Sequence, residues 1–358
     1  MAIRFMDGFD KYHTTNNTDI PSGLARNYTS VVNDNYIRTQ AGRYTGNALN
    51  MAYGKNSTYI TKAISATGVT KFIVGFNIKM TSQSSFGAGN LWIGPSNATN
   101  VIYGWANKGL SIAYTGGLYY NGYSGSSAGA MEWGALALNT WTHIEMEWPI
   151  TAGVGNPAIL YVNGVLVASN TNALASIGWN GTLRIGSTGS GYPSEAVHID
   201  DFYMLDDTGS TNNSRLSTAT YVPRIETIVP TSDVANDFSL TGVASAYLAG
   251  DNRPVNSGQY ASSGTDAQKV RFGNGDLTNI NNINCVQFNA LCSNSVTGAD
   301  NWKFLMNNTE VGSTKSVSDS LLSSTAIASE AFEVNPITSA AWTASDVNSI
   351  ETGIINKP

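Results

Sequence analysis

The sequence predicts an all-β chain in two domains, and three observations carry that prediction. Charged residues make up 12% of the 358 positions, about half the ~25% of typical soluble domains. Asn, Ser, Thr and Gly supply the missing polarity, and these residues favour turns over helix interiors. Apolar runs alternate with period two between Gly- and Asn-containing turns, the pattern of antiparallel sandwiches. The length exceeds what one core usually serves.

Residues 3–10 read as a first strand. Residues 11–47 are Asn/Thr/Gly-rich with short extended pieces such as 36–39. A clear strand follows at 71–80, with Phe72, Val74, Phe76, Ile78 and Met80 on one face. Shorter strands fall at 91–94 and 101–105. Gly116-Gly117 joins 110–114 to 118–120 as a hairpin, because glycine supplies the positive φ of a tight turn. Residues 141–148 alternate cleanly: Ile144, Met146 and Trp148 inward, His143, Glu145 and Glu147 outward, with Pro149 ending the strand. Asn163-Gly164 marks a second hairpin within 158–168, and 183–186 is one more strand.

The first domain is organised around 197–205. Strict alternation places Ile199, Asp201, Tyr203 and Leu205 on one face and His198, Asp200, Phe202 and Met204 on the other. Its largely apolar second half marks an interior strand. Its expected partner is the N-terminal strand, since a terminus is best held by a sheet. The first domain is therefore 1–210, the Asn/Ser/Thr-rich 211–221 is a linker, and 222–358 is a smaller β-sandwich. In that second domain 221–230 is extended, with Ile225, Thr227 and Val229 on one side, and 284–291 and 302–306 are strands. Thr343-Ala344-Ser345-Asp346 is a capping-box-like helix start, with Val347, Ile350 and Ile354 following at helical spacing and Trp342 stapling the turn to the sheet.

Asp7-Gly8-Phe9-Asp10, Trp141-x-x-Ile144-Glu145, Val162-Asn163-Gly164 and Ile199-Asp200-Asp201-Phe202-Tyr203 form an ordered series. In that order they resemble the concanavalin A-like lectin/glucanase jelly roll, in its laminin-G-like branch, over about 1–210. A second resemblance rests on 336–343 with Val347-Asn348 and Gly353-Ile354, together with Asp207-Thr208-Gly209 and Asn212-Asn213. These are similar to virion structural proteins of tailed bacteriophages, which pair a lectin-like domain with a small C-terminal β domain. The resemblance implies a place in the tail, fibre region or capsid surface. Such a protein is assembled in the bacterial cytoplasm, exposed after release, and partnered by other virion proteins.

The net charge of −6 and the lack of a Lys/Arg cluster argue against nucleic-acid partners. No apolar run approaches the ~20 residues of a membrane helix, and no basic-then-apolar leader opens the chain. Without secretion, Asn27-Tyr28-Thr29 and Asn56-Ser57-Thr58 are chance triplets. Cys285 and Cys292 read as buried apolar thiols, and three histidines without Cys or carboxylate spacing give no zinc site. No cofactor is expected, since no phosphate loop or nucleophile elbow is present. The scarcity of Lys and Glu suggests surface covered by further copies of the chain, a homo-oligomer.

The sequence offers four candidate sites. Glu145 and Glu147 lie ~7 Å apart on one strand face, a spacing an inverting glycosidase uses. The jelly-roll glucanases carry Glu-x-Asp-x-x-Glu, and here the third acid is missing beside Pro149. A solvated polar face with His143 is the preferred reading. Asp200 and Asp201, adjacent and facing opposite ways, are not a dyad. With Asp206 and Asp207 they raise a calcium site, which lacks a spaced acidic loop. Trp105, Tyr119, Tyr120 and Tyr123, in turn-rich segments, are the candidate glycan- or partner-binding residues. The expected role is a structural virion component that works through oligomer and attachment contacts and is no enzyme. The alternative is an adhesin for host-surface glycan, and behind it a polysaccharide hydrolase.

Overall fold

The structure is a computed structural model. It describes residues 2–12, 20–32, 37–44, 46–52, 58–81, 90–95, 109–113, 117–121, 130–150, 157–170, 179–187, 196–250, 258–278, 280, 282–292, 300–317 and 327–358. The chain forms two compact units, Met1–Ile225 and Glu226–Pro358.

The first unit runs β1 (Ile3–Asp7), α1 (Ile20–Ala25), β2 (Ser30–Val32), β3 (Ile37–Ala41), β4 (Asn47–Ala52), β5 (Tyr59–Ala63), β6 (Lys71–Met80), β7 (Asn90–Pro95), β8 (Gly109–Ala113), β9 (Gly117–Asn121), β10 (Ala130–Ala135), β11 (Thr142–Pro149), β12 (Ala158–Val162), β13 (Val165–Asn170), β14 (Thr182–Ser187) and β15 (Ala196–Asp206). Among the described residues these strands make two antiparallel sheets. One has the order β13-β12-β11-β6-β15-β4-β3, with β1 also on β15; the other is β10-β9-β8-β7-β14-β5-β2. The predicted pairing of the N-terminal strand with the strand near 200 is present, with Ile3 opposite Leu205 and Asp7 opposite Phe202.

Alternation explains the core. Phe72, Val74, Phe76, Ile78 and Met80 of β6 and Ile144, Met146 and Trp148 of β11 are all fully buried. Phe76 stacks on Phe202 of β15 at 6.2 Å. The β12–β13 turn is Asn163-Gly164 with φ of 48° and 74°, the positive values a two-residue hairpin requires. Near the N-terminus, buried Asp7 accepts from the Phe9 amide (2.9 Å), the Tyr12 hydroxyl (2.6 Å), Asn27 Nδ2 (3.0 Å) and the Tyr28 hydroxyl (3.1 Å). One carboxylate thus fixes the chain after β1.

Strand β15 departs from strict alternation. Asp200 pairs with Asn77 but Tyr203 pairs with Gly75, so β15 carries one extra residue there. The extra residue is Asp201, with φ of 52°. This β-bulge shifts the phase of everything after it. Ile199, Phe202 and Met204 face the core, while His198, Asp200 and Tyr203 share the opposite face. The face assignment made from strict alternation is corrected accordingly.

The second unit contains β16 (Pro230–Asn236), β17 (Ser239–Thr241), α2 (Ala246–Gly250), β18 (Tyr260–Ser262), β19 (Lys269–Asn274), β20 (Val286–Leu291), β21 (Asp300–Met306), β22 (Thr309–Val317), β23 (Ile327–Phe332), α3 (Ala344–Asn348) and β24 (Glu351–Lys357). A sheet β16-β19-β24-β21-β22 and the pairs β17-β18 and β20-β23 are formed. Phe288 of β20 meets Phe304 of β21 edge-on at 5.7 Å, within a core that includes Trp302, Met306, Val311, Trp342, Val347 and Ile350. The capping box is present: Thr343 Oγ1 accepts from the Asp346 amide at 3.1 Å, and Asp346 Oδ2 accepts from the Thr343 amide at 2.9 Å. Trp342 Nε1 donates to the Phe332 carbonyl at 2.7 Å, holding the turn to β23. The helix lasts one turn only. Ile354, expected on its face, lies in β24 between β19 and β21.

Candidate functional site

The face of β11, β6 and β15 that turns away from the core is polar and buried. Asn77, His143, Glu145, His198, Asp200 and Asp201 are each less than a tenth exposed, and Tyr203 is 4% exposed. Residues 211–225 cover this face. Glu145 Oε1 accepts from the Tyr203 hydroxyl at 2.7 Å and the Leu216 amide at 2.9 Å. Glu145 Oε2 accepts from the Ser217 amide at 3.3 Å and from the Ser217 hydroxyl. Nearby, Arg215 lies over the Tyr161 ring at 4.1 Å and donates to the Gly164 carbonyl at 2.9 Å.

Glu145 and His143 are therefore not part of a solvated face. The sequence placed them correctly on one side of β11, but their cover comes from residues some 70 positions later. The segment 211–221, read as a linker, is tied to the first unit by the Glu145 contacts. Burial raises the Glu145 carboxyl, against the opposing hydrogen bonds from Ser217, Tyr203 and Leu216. Burial first, then the Arg43 charge, lowers His143 to about 3. Burial and the Lys79 charge lower His198 to about 4. Burial and the Glu145 charge push the Tyr203 hydroxyl well up. Glu147 is held apart from Glu145: Lys71 Nζ lies 2.6 Å from its Oε2, and the Tyr161 hydroxyl donates to Oε1 at 3.3 Å. Both carboxylates are engaged by the chain itself.

The bulge brings Asp200 and Asp201 close enough to act on one another, a correction to the view that adjacent residues must face apart. Burial raises both carboxyls, and the Asp201 charge adds to the rise at Asp200. Asp200 Oδ2 accepts from the Arg43 amide at 2.7 Å. Asp201 accepts from Asn77 Nδ2 at 2.7 Å and from the Ile225 amide at 2.6 Å, with Arg43 Nη1 at 3.7 Å. The pair thus ties together two distant backbone segments, one at Arg43 and one at Ile225. Between them stands Tyr44, 55% exposed. Its ring centroid lies 4.6 Å from Arg43 Cζ and 5.2 Å from Arg224 Cζ. This aromatic-cationic cluster was not read from the sequence. The available signal was the glycine-bracketed loop Gly42-Arg43-Tyr44-Thr45-Gly46.

Of the predicted binding residues, Trp105 and Tyr123 lie outside the described residues. Tyr119 and Tyr120 are on β9, opposite Ser111 and Leu110 of β8 and Glu132 and Met131 of β10. The strand expected at 101–105 and the turn at 114–116 also lie outside the described residues. Asp206 and Asp207, raised as calcium ligands with the bulge pair, have other partners. Asp206 takes Arg4 and Thr208, and Asp207 takes the Thr70 amide and hydroxyl. Among the described residues no cluster of three or more His, Cys, Asp or Glu is placed to hold a metal ion.

No protein-family model and no curated protein matches the sequence. Solved structures similar to the chain include one described as botulinum neurotoxin type C whose cell entry depends on two ganglioside molecules. It is 12% identical, with a TM-score of 0.33, over 49% of this chain and 44% of that one. Another is the binding domain of botulinum neurotoxin DC in complex with SialylT, 13% identical with a TM-score of 0.34, over 48% and 44%. A third is the alginate lyase Aly36B, 12% identical with a TM-score of 0.36, over 56% of this chain and 95% of that one. The chain spans less than half the length of the neurotoxin structures. At these identities and TM-scores the likeness says nothing of ligand or chemistry.

Proposed function

We propose that the chain is a non-catalytic glycan-binding protein: a lectin-like β-sandwich displayed on a bacteriophage particle, where it recognises host-surface saccharide. One observation carries the choice of binding over turnover. Of the two acids that suggested a glycosidase, Glu145 is closed under 211–225 and engaged by its amides and hydroxyl, and Glu147 is held by Lys71 and Tyr161. A general acid needs access to a leaving-group oxygen, and Glu145 has none. Recognition then falls to aromatic side chains: the exposed Tyr44 and the sequence candidates Trp105, Tyr119, Tyr120 and Tyr123.

The virion setting rests on the C-terminal sequence resemblance and on the low Lys and Glu content, which favours a surface shared with other copies or other virion proteins. A glycan array probed with the purified chain tests the reading. Retention of a defined subset of saccharides, and loss of phage adsorption when free protein is added to host cells, is the expected result. A blank array together with undiminished adsorption would refute it, and would leave a purely structural virion component.

A further inference from the structure

We infer that Lys62 and Asn27 join through their side chains in an intramolecular isopeptide bond, with Asp7 as the proton relay. Local structure brings the three residues together inside the first unit. Asn27 closes α1, its amide donating to the Leu24 carbonyl at 2.9 Å. The Thr29 amide then donates to the Thr61 carbonyl at 2.7 Å, and Ser30 of β2 pairs with Thr61 of β5. That pairing sets Asn27 beside Lys62. Asp7, at the end of β1, fixes how the Asn27 amide is turned. Asn27 Nδ2 donates to Asp7 Oδ2 at 3.0 Å and to the Tyr12 hydroxyl at 2.7 Å. An ionised carboxylate only accepts, so the nitrogen end faces Asp7 and the carbonyl end faces Lys62. Lys62 Nζ lies 3.2 Å from Asn27 Oδ1 and also donates to the Asn27 backbone carbonyl. Oδ1 is one C=O bond, ~1.2 Å, from the carbon to be attacked.

The surroundings suit the reaction. Asp7, Tyr12, Asn27 and Tyr28 are buried, and Nζ of the half-buried Lys62 sits 5.1 Å from the centroid of the buried Phe5 ring. Burial keeps out water that would compete for the amide carbon. Burial first, then the Lys11 charge, also lowers the Lys62 amine, against the opposing Asp7 charge, which favours the neutral nucleophile. Neutral Nζ attacks Asn27 Cγ, forming a new C–N bond and a tetrahedral centre. Asp7 takes the proton that Nζ sheds and passes it to Nδ2, the atom it already touches. The Cγ–Nδ2 bond breaks and ammonia leaves. An amine and a primary amide thus become a secondary amide and ammonia. No oxidant, metal or co-reactant is needed, and Asp7 ends as it began. The Tyr12 and Tyr28 hydroxyls, at 2.6 and 3.1 Å, hold Asp7 Oδ2 in position. The finished bond clamps β5 to the end of α1.

Intact-mass spectrometry of the purified full chain, followed by tryptic mapping, tests the bond. The expected mass lies below the sequence mass by about 17 Da, one ammonia. The expected fragment joins residues 27–38 to residues 56–71, uncut at Lys62. Lys62→Arg keeps the cation without the nucleophile and should restore the full mass. Asp7→Asn, close in shape and checked for folding by its melting transition, should lose the linked fragment. A folded native chain of full mass, with residues 56–62 released as a free peptide, overturns the bond. So does a loss of ammonia with no linked fragment, which places the loss elsewhere in the chain. A linked fragment formed in undiminished yield by Asp7→Asn overturns the relay.

Discussion

Replacing Glu145 by Ala should loosen the cover of the polar face before it touches anything else. In the native chain that carboxylate accepts from the Tyr203 hydroxyl, the Leu216 and Ser217 amides and the Ser217 hydroxyl, at a position with no solvent exposure. The hydroxyls can turn to other acceptors, but the two amides are fixed. Each buried donor left unpaired costs ~1–3 kcal/mol. Relief from burying a carboxyl offsets part of that loss. The net destabilisation is about 3 kcal/mol, or roughly 6–12 °C in the melting transition of a unit this size. Glu145→Gln keeps one acceptor oxygen and should cost about half as much. Hydrogen exchange read at Leu216 and Ser217, with thermal melting of the first unit, measures both effects. If Glu145→Ala leaves the melt and the protection of those amides unchanged, the latch has been misassigned.

Three further outcomes follow from the geometry. The folded values of His143 and His198 lie below the ordinary imidazole value, so their stabilising contribution is complete above about pH 6.5 and is lost as pH falls through about 3 and about 4. Glu145, Asp200 and Asp201 are raised, so their contribution is complete at low pH and is lost as pH climbs above the usual carboxylate range. Asp200, raised to about 8, still titrates between pH 6.5 and 8.5, so first-unit melting should decline there, and Asp200→Asn should flatten the decline. An equal slope in that variant would contradict the assignment. Gly75→Ala forces a β-carbon into the Tyr203 ring and should cost about 3 kcal/mol of first-unit stability by urea titration, with Tyr203→Phe far milder. Thr343→Ala removes the capping box and should lower second-unit stability by about 1 kcal/mol, leaving the first-unit transition in place.

What the sequence disclosed follows the range of the forces involved. The β11 strand, the Asn163-Gly164 hairpin and the Thr343 cap were legible because each is fixed by neighbours within a few residues. The partnership of β1 with β15 was legible from the logic of holding a terminus. The bulge was not, since Asp201 is a residue type that tolerates positive φ without announcing it, and one extra residue reversed the faces of all that followed. The burial of His143 and Glu145 was hidden for a different reason. Period-two alternation distinguishes two faces but not what later chain will cover them, and the cover is Leu216 and Ser217. At the C-terminus, Val347, Ile350 and Ile354 fit a helical stripe. Pairing of β24 between β19 and β21 wins over propensity after one turn. The Tyr44 cluster needed three segments brought together in space and had only two bracketing glycines as its mark.

The central claim is that this sandwich holds saccharide without cutting it. Incubating purified chain with host-surface polysaccharide, then measuring in one experiment the polysaccharide retained and its chain length by size-exclusion chromatography, tests that claim most directly. Retention with an unaltered length distribution is the result this account predicts. Progressive shortening of the polymer, abolished by Glu145→Gln, would contradict it.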